Sequence, residues 1–138
     1  MVVEEVFGDT NYWLAIFLPD DSLHARAIEI GSGILTKSRI VTSDLVVIEV
    51  LNALSAEPAI VKNKAFAAFE HFRTSPGVII YPYTPRLLEE AGKLYVFSDK
   101  NWSIVDCSSF IIMRERKINS ALTYDRHFEQ AGFQALLR

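Results

Sequence analysis

Short β-branched and aromatic runs alternate with amphipathic segments along this chain, and that alternation restricts its fold more than any other feature. Val2–Phe7, Arg39–Thr42, "GVIIYPY" and Ser120–Tyr124 within "INSALTYD" read as strands, with "FQALLR" as a final one. Between them, Tyr12–Leu18 reads as a short helix stopped by Pro19. "DDSLHARAIEIGSGILTK" reads as a helix with Asp21 or Ser22 as its N-cap. Ser43 or Asp44 caps "LVVIEVLNALSA", which ends near Pro58. Ile60–Arg73, Pro85–Val96, the segment entered at Trp102-Ser103 and a turn at Arg126–Ala131 complete the helices. Such alternation predicts α/β architecture, a mainly parallel sheet covered on both faces. Ligands of such sheets bind outside the carboxyl ends of the strands. Asp9 and Asp125 each follow directly on a predicted strand.

No repeat, linker or low-complexity tract divides the 138 residues, so residues 1–138 are expected to form one domain with a substantial core. The net charge of −3 gives no general electrostatic footprint for nucleic acid. A nucleic-acid substrate would need a local basic patch or bridging metal ions. The single cysteine, Cys107, excludes an intramolecular disulfide and makes a reducing compartment the default. No apolar run reaches the roughly 18 to 20 residues of a membrane span. "MVVEEVF" carries acids where a signal peptide carries Lys or Arg. A cytoplasmic protein is expected.

Several acids stand where an apolar or turn residue would fold as well. Asp9 has an ordinary role as a turn residue, because Gly8-Asp9 before Thr10-Asn11 is good turn chemistry. Glu49 is flanked by Leu45–Ile48 and by Val50-Leu51, which leave little polar surface around it. A buried ionised carboxylate needs a partner or an ion. For Glu49 the ordinary alternative is a salt bridge to Lys or Arg. Ser103-x-x-Asp106 is close to a capping box, in which the acid meets backbone N–H groups and the helix dipole. That role is compatible with metal binding, since one carboxylate has two oxygens. Asp125 can cap the turn at Arg126, and Asp99 in "FSDKNWS" reads as a solvated loop acid.

The acids matter jointly. Two at strand ends and two on helices can converge on one cleft, where each raises its neighbours' pKa. A fold keeps such a cluster when something cationic relieves the repulsion. Hard divalent ions prefer oxygen ligands, and Mg²⁺ binds through a few carboxylates plus phosphate. Metal-assisted phosphodiester hydrolysis uses that arrangement.

"GDTNYWLAIF", "TSDLVVIEVLNAL", "DKNWSIVDCSSFIIM" and "SALTYDRHFEQAGF" resemble, in order, the acidic motifs of the PIN-domain nucleases, and among these the VapC-type toxins of toxin–antitoxin pairs. The resemblance covers nearly the whole chain, and the last two motifs are its most specific part. It implies a PIN-like three-layer α/β/α fold and an endoribonuclease using Mg²⁺ or Mn²⁺. It places Asp9, Glu49 and Asp106 at the family's main acidic positions and Asp125 at the fourth, as catalytic and metal-binding residues. Asp99 and Ser103 match less constant positions, and Thr10 and Asn11 flank the first acid. The implied partners are RNA and a VapB-like antitoxin with a basic side chain that enters the acidic cleft.

A homodimer is expected on separate grounds: the faces Phe66–Phe72 and Tyr12–Phe17 look larger than one small domain needs. His24, His71 and His127 share no metal-binding spacing, and His127 is read as a surface or supporting residue near Asp125. Cys107 reads as a small buried hydrophobe, and Arg114, Arg116 and Lys117 as a solvated helix end. Two other function classes stay open. One is a different metal-dependent phosphohydrolase, although Asp9 is followed by Thr10-Asn11 rather than the second acid of a D-x-D motif, and no P-loop is present. The other is a non-catalytic PIN-like interaction module.

Overall fold

A computed structural model of the chain describes residues 4–138, so Val2 and Val3 lie outside the described residues. In chain order the elements are β1 (Glu4–Gly8), α1 (Thr10–Phe17), α2 (His24–Leu35), β2 (Ser38–Ser43), α3 (Asp44–Ala53) and α4 (Ala59–Phe72). Then come β3 (Val78–Tyr81), α5 (Pro85–Phe97), α6 (Ile104–Arg116), β4 (Ser120–Leu122), α7 (Arg126–Gln130) and β5 (Gln134–Ala135). The five strands form one sheet in the order β3-β2-β1-β4-β5, and every pairing is parallel. The expectation of a mainly parallel sheet is met in full. With the right-handed crossovers that parallel strands take in nearly all cases, this order puts α1 to α4 on one face and α5 to α7 on the other, the three-layer α/β/α arrangement.

Burial on both faces explains why the strands read as continuous apolar runs. Adjacent residues of a strand point to opposite faces, and Val6 and Phe7 are both buried. Phe7 meets Phe128 of α7, which stands edge-on to Phe110 of α6 at 4.9 Å. On the other side Trp13 packs edge-on against Phe69 at 5.4 Å, and Phe17 does the same at 5.5 Å. Tyr12, Trp13, Phe17 and Phe69 are therefore core, and of the aromatic residues on the expected dimer faces only Phe66 stands well exposed. The aromatic surplus is absorbed by contacts among α1, α4 and the sheet.

Local signals set several boundaries. Ser43 Oγ accepts from Val46 N and starts α3, and Thr84 Oγ1 accepts from Leu87 N ahead of Pro85. The start of α2 departs from expectation: its N-cap is Leu23, while Asp21 Oδ1 accepts from Leu23 N in the preceding turn. Strand β4 stops at Leu122, leaving Thr123 and Tyr124 free to turn toward the site. Gly8 has a steric reason. A Cβ there would stand 3.0 Å from both Ile40 Cγ2 and Trp13 Nε1.

Candidate active site

Strand order reverses between β1 and β4: from β1 the chain passes outward to β2 and β3, then returns to β4 on the other side. Such a switch point opens a crevice at the carboxyl edge. Asp9 leaves β1 there, and its N–H continues the ladder to Leu122 O at 3.2 Å. Asp9 is the N-cap residue of α1, yet its side chain caps nothing. Its Oδ2 instead accepts from Thr123 Oγ1 at 2.8 Å and from Asn11 Nδ2 at 3.3 Å. Thr123, fully buried, also accepts from Asn11 Nδ2 and from Asp125 N. One donor and two acceptor positions are thus all used. Asn11 Oδ1 in turn accepts from Tyr124 N, so the ends of β1 and β4 are stitched together by side chains.

Asp106 enters from α6. The capping box is complete: Ser103 Oγ accepts from Asp106 N at 3.0 Å, and Asp106 Oδ2 accepts from Ser103 N at 3.2 Å. Asp125 caps α7 by accepting from His127 N at 2.9 Å. His127 Nδ1 then lies 2.8 Å from Asp106 Oδ2 and 3.5 Å from Asp125 Oδ1. A ring nitrogen facing two carboxylate oxygens is a donor. Asp106, Asp125 and His127 each offer a ligand atom within 4.8 Å of the others. Glu49 is held differently. Its Oε1 accepts from the hydroxyl of Thr10, the neighbour of Asp9, and no Lys, Arg or His among the described residues makes an ion pair with it.

Burial, together with the negative charges of Asp106 and Asp125, pushes the Asp9 carboxyl up to about 7, against the lowering effect of the Thr123 hydroxyl and the Thr10 amide. Among the described residues the site therefore concentrates acids without supplying guanidinium or ammonium groups to them. A donor set of carboxylate oxygens with one imidazole beside it suits a divalent cation.

Residues 6–134 match the PIN domain family. The chain belongs to the PIN-domain family. It is 30% identical over 129 residues to the 23S rRNA-specific endonuclease VapC20 of Mycobacterium tuberculosis, in strains CDC 1551 / Oshkosh and H37Rv alike, covering 93% of this chain and 95% of that protein. The crystal structure of Mycobacterium tuberculosis VapC20, a sarcin-ricin loop cleaving toxin, superposes with a TM-score of 0.79 at 29% identity, over 93% of this chain and 95% of the other.

Within this PIN domain the four acids singled out from sequence fall into two groups. Asp106 and Asp125 lie together and both act on Asp9, while Glu49 is joined to Asp9's neighbour Thr10. His127 and Thr123 were underrated or missed. The signal for His127 was its place two residues beyond a helix-capping Asp125, in "YDRH". Asp99 is 91% exposed and outside the cluster. Cys107 is fully buried, and burial and then the Asp106 charge push its thiol up, so it is no nucleophile. Arg116 is not a solvated helix end: it grips Glu5 through two bonds of 3.0 and 2.8 Å.

Proposed function

We propose that the chain is a metal-dependent endoribonuclease, the toxin of a VapBC-type pair, in which Asp9, Glu49, Asp106 and Asp125 hold Mg²⁺ or Mn²⁺ against RNA. The observation that carries this is the convergence of Asp106, Asp125 and His127 beside a buried Asp9, with no Lys or Arg among the described residues paired to them. The names of the relatives support RNA as substrate and make 23S rRNA the first one to test. The whole chain acts as one nuclease domain. No helix among the described residues is long and apolar enough to cross a membrane, in keeping with a cytoplasmic enzyme.

A divalent ion held by Asp9, Glu49, Asp106 and Asp125 would supply activation of water and charge relief at the leaving oxygen. The chain's own residues prepare the place for it. Thr123 and Asn11 fix the Asp9 carboxylate, and Ser103 fixes that of Asp106 through the helix cap. Thr10 aims Glu49 from the opposite flank. His127 bridges Asp106 and Asp125, so it orients both and offers a proton donor next to the reacting phosphate. An antitoxin presenting a basic side chain to this cluster would satisfy the same acids and block the site. A homodimer remains part of the proposal, resting on exposed residues such as Phe66 rather than on the buried aromatics.

The test is cleavage of 23S rRNA and a panel of structured RNAs by purified protein, with Mg²⁺ and Mn²⁺ tried separately. Cleavage is expected with metal, none in EDTA and none from Asp106→Asn. An intact panel under every condition would point to the non-catalytic interaction module instead. Cleavage that persists in EDTA would remove the metal from the proposal.

A further inference from the structure

Beside the acids, the last turn of α5 exposes three consecutive apolar side chains: Tyr95 at 52%, Val96 at 73% and Phe97 at 86%. The loop that follows folds back toward α6 and leaves an open concavity of about 560 Å³, lined by Tyr95, Val96, Lys100, Asn101, Trp102 and Ser103. Trp102 does not hang free in it. Its ring stands edge-on to Phe110 at 4.9 Å, and its Nε1 donates to Gln130 Oε1 at 3.0 Å, which ties the loop to α7. Ser98 Oγ accepts from Lys100 N and shapes the turn. Among the described residues the Lys100 ammonium reaches only an exposed Asp99, at 4.0 Å, so it is available to another anion.

Two aromatic rings, an ammonium, a side-chain amide and a hydroxyl in one open hollow match the parts of a nucleotide. Unpaired bases stack on aromatic faces and bond through their edges, while the backbone phosphate seeks a cation. The hollow adjoins the acids through Ser103, one of its lining residues, whose N–H bonds Asp106 Oδ2. We propose that this hollow is a nucleotide subsite, which holds one unpaired base of the RNA next to the bond cleaved at the acid cluster, against Trp102 and Tyr95, with Lys100 on an adjoining phosphate. The inference rests on the endoribonuclease reading and adds to it the side chains that seat the substrate.

Trp102 supplies its own probe. The other tryptophan, Trp13, is buried, so a ligand entering the hollow should quench Trp102 fluorescence alone. Single-stranded oligoribonucleotide is titrated into the full chain in EDTA at low salt, where binding is read without cleavage. Saturable quenching is expected for the parent and absent from Trp102→Phe. Tyr95→Ala and Lys100→Ala, both at exposed positions, should weaken binding and raise the KM for RNA roughly 5- to 20-fold while kcat stays within about twofold. A parent that cleaves RNA, with variants that match it in quenching and KM, overturns the subsite. So does a Tyr95→Ala variant whose only change is loss of self-association in sedimentation, since the surface then belongs to a second copy. If the parent cleaves no RNA, the endoribonuclease reading fails separately. The titration still decides the subsite: quenching that the variants lose supports it, and a flat titration ends it.

Discussion

Strand β1 carries an acid near each end, and the two are treated in opposite ways. Glu5 receives two bonds from Arg116 and one from Arg39, and these guanidinium groups, Arg116 foremost, hold its carboxyl below the usual range. Asp9 receives a hydroxyl and an amide, and burial first and then two further acids push it up to about 7. The protein has guanidinium groups to spend on an acid and spends them at the amino end of the sheet. At the carboxyl end it supplies only polar groups that orient. On the proposed function, an acid kept for structure is neutralised by the chain itself, whereas the acids that would take a metal are positioned and left short of positive charge.

The largest expected effect comes from Asp9→Asn, which keeps the shape of the side chain and removes its charge. Metal-dependent cleavage should fall at least about a hundredfold, measured as kcat/KM on the RNA that the parent cleaves. A variant within a few-fold of the parent would place Asp9 with Glu5 as a structural acid.

Next in size is a pH effect on the metal-free fold. Folded Asp9 holds its proton up to about 7, while the unfolded chain releases it near the ordinary value of 3.8. Between those limits the folded state binds more protons, so stability falls as pH rises and levels off above the folded value. The contribution is on the order of 1 to 4 kcal/mol. Denaturant melts in EDTA should show the parent losing stability from pH 5 to pH 8 and Asp9→Asn losing markedly less. Parallel curves for the two proteins would mean that burial and the neighbouring acids do not hold a proton on Asp9.

The smallest of the three effects belongs to the other end of the strand. Glu5→Gln leaves Arg39 and Arg116 without their counter-charge and should cost about 1 to 2 kcal/mol at neutral pH, discounted for the partial exposure of both arginines. Because the Glu5 carboxyl is lowered, that loss should shrink as pH drops through its folded value. Cleavage at a temperature where the variant stays folded should be unchanged within about twofold. A large loss of activity with normal stability would erase the distinction drawn between the two ends.

The layers and the edge of the site were legible in the sequence because they rest on local signals. Period and capping residues place the strands and helices, and Ser103-x-x-Asp106 announces its own capping box. Asp9 and Asp125 are found by following strands to their ends. What stayed hidden depends on partners far along the chain. Arg116 reads as a solvated helix end until the fold brings it to Glu5, 111 residues away. His127 reads as a surface residue until β4 sets α7 against the start of α6. The Phe66–Phe72 face looked unpartnered because nothing local says that Trp13 and Phe17 will lie across Phe69.

The hydroxyl of Thr123 has a consequence for when activity can arise. It joins Asp9 across a separation of 114 residues, and the register that brings it there pairs Phe7 with Ala121. Closing so long a loop is slow compared with forming local helices and adjacent β-α-β units. The β1–β2–β3 half and its four helices can therefore assemble while Asp9 and Glu49 still lack Asp106, Asp125 and His127. Cleavage should be among the last properties to emerge during refolding, lagging behind the recovery of helical signal. It should also be among the first to vanish when the β4 edge loosens, well before the rest of the sheet melts.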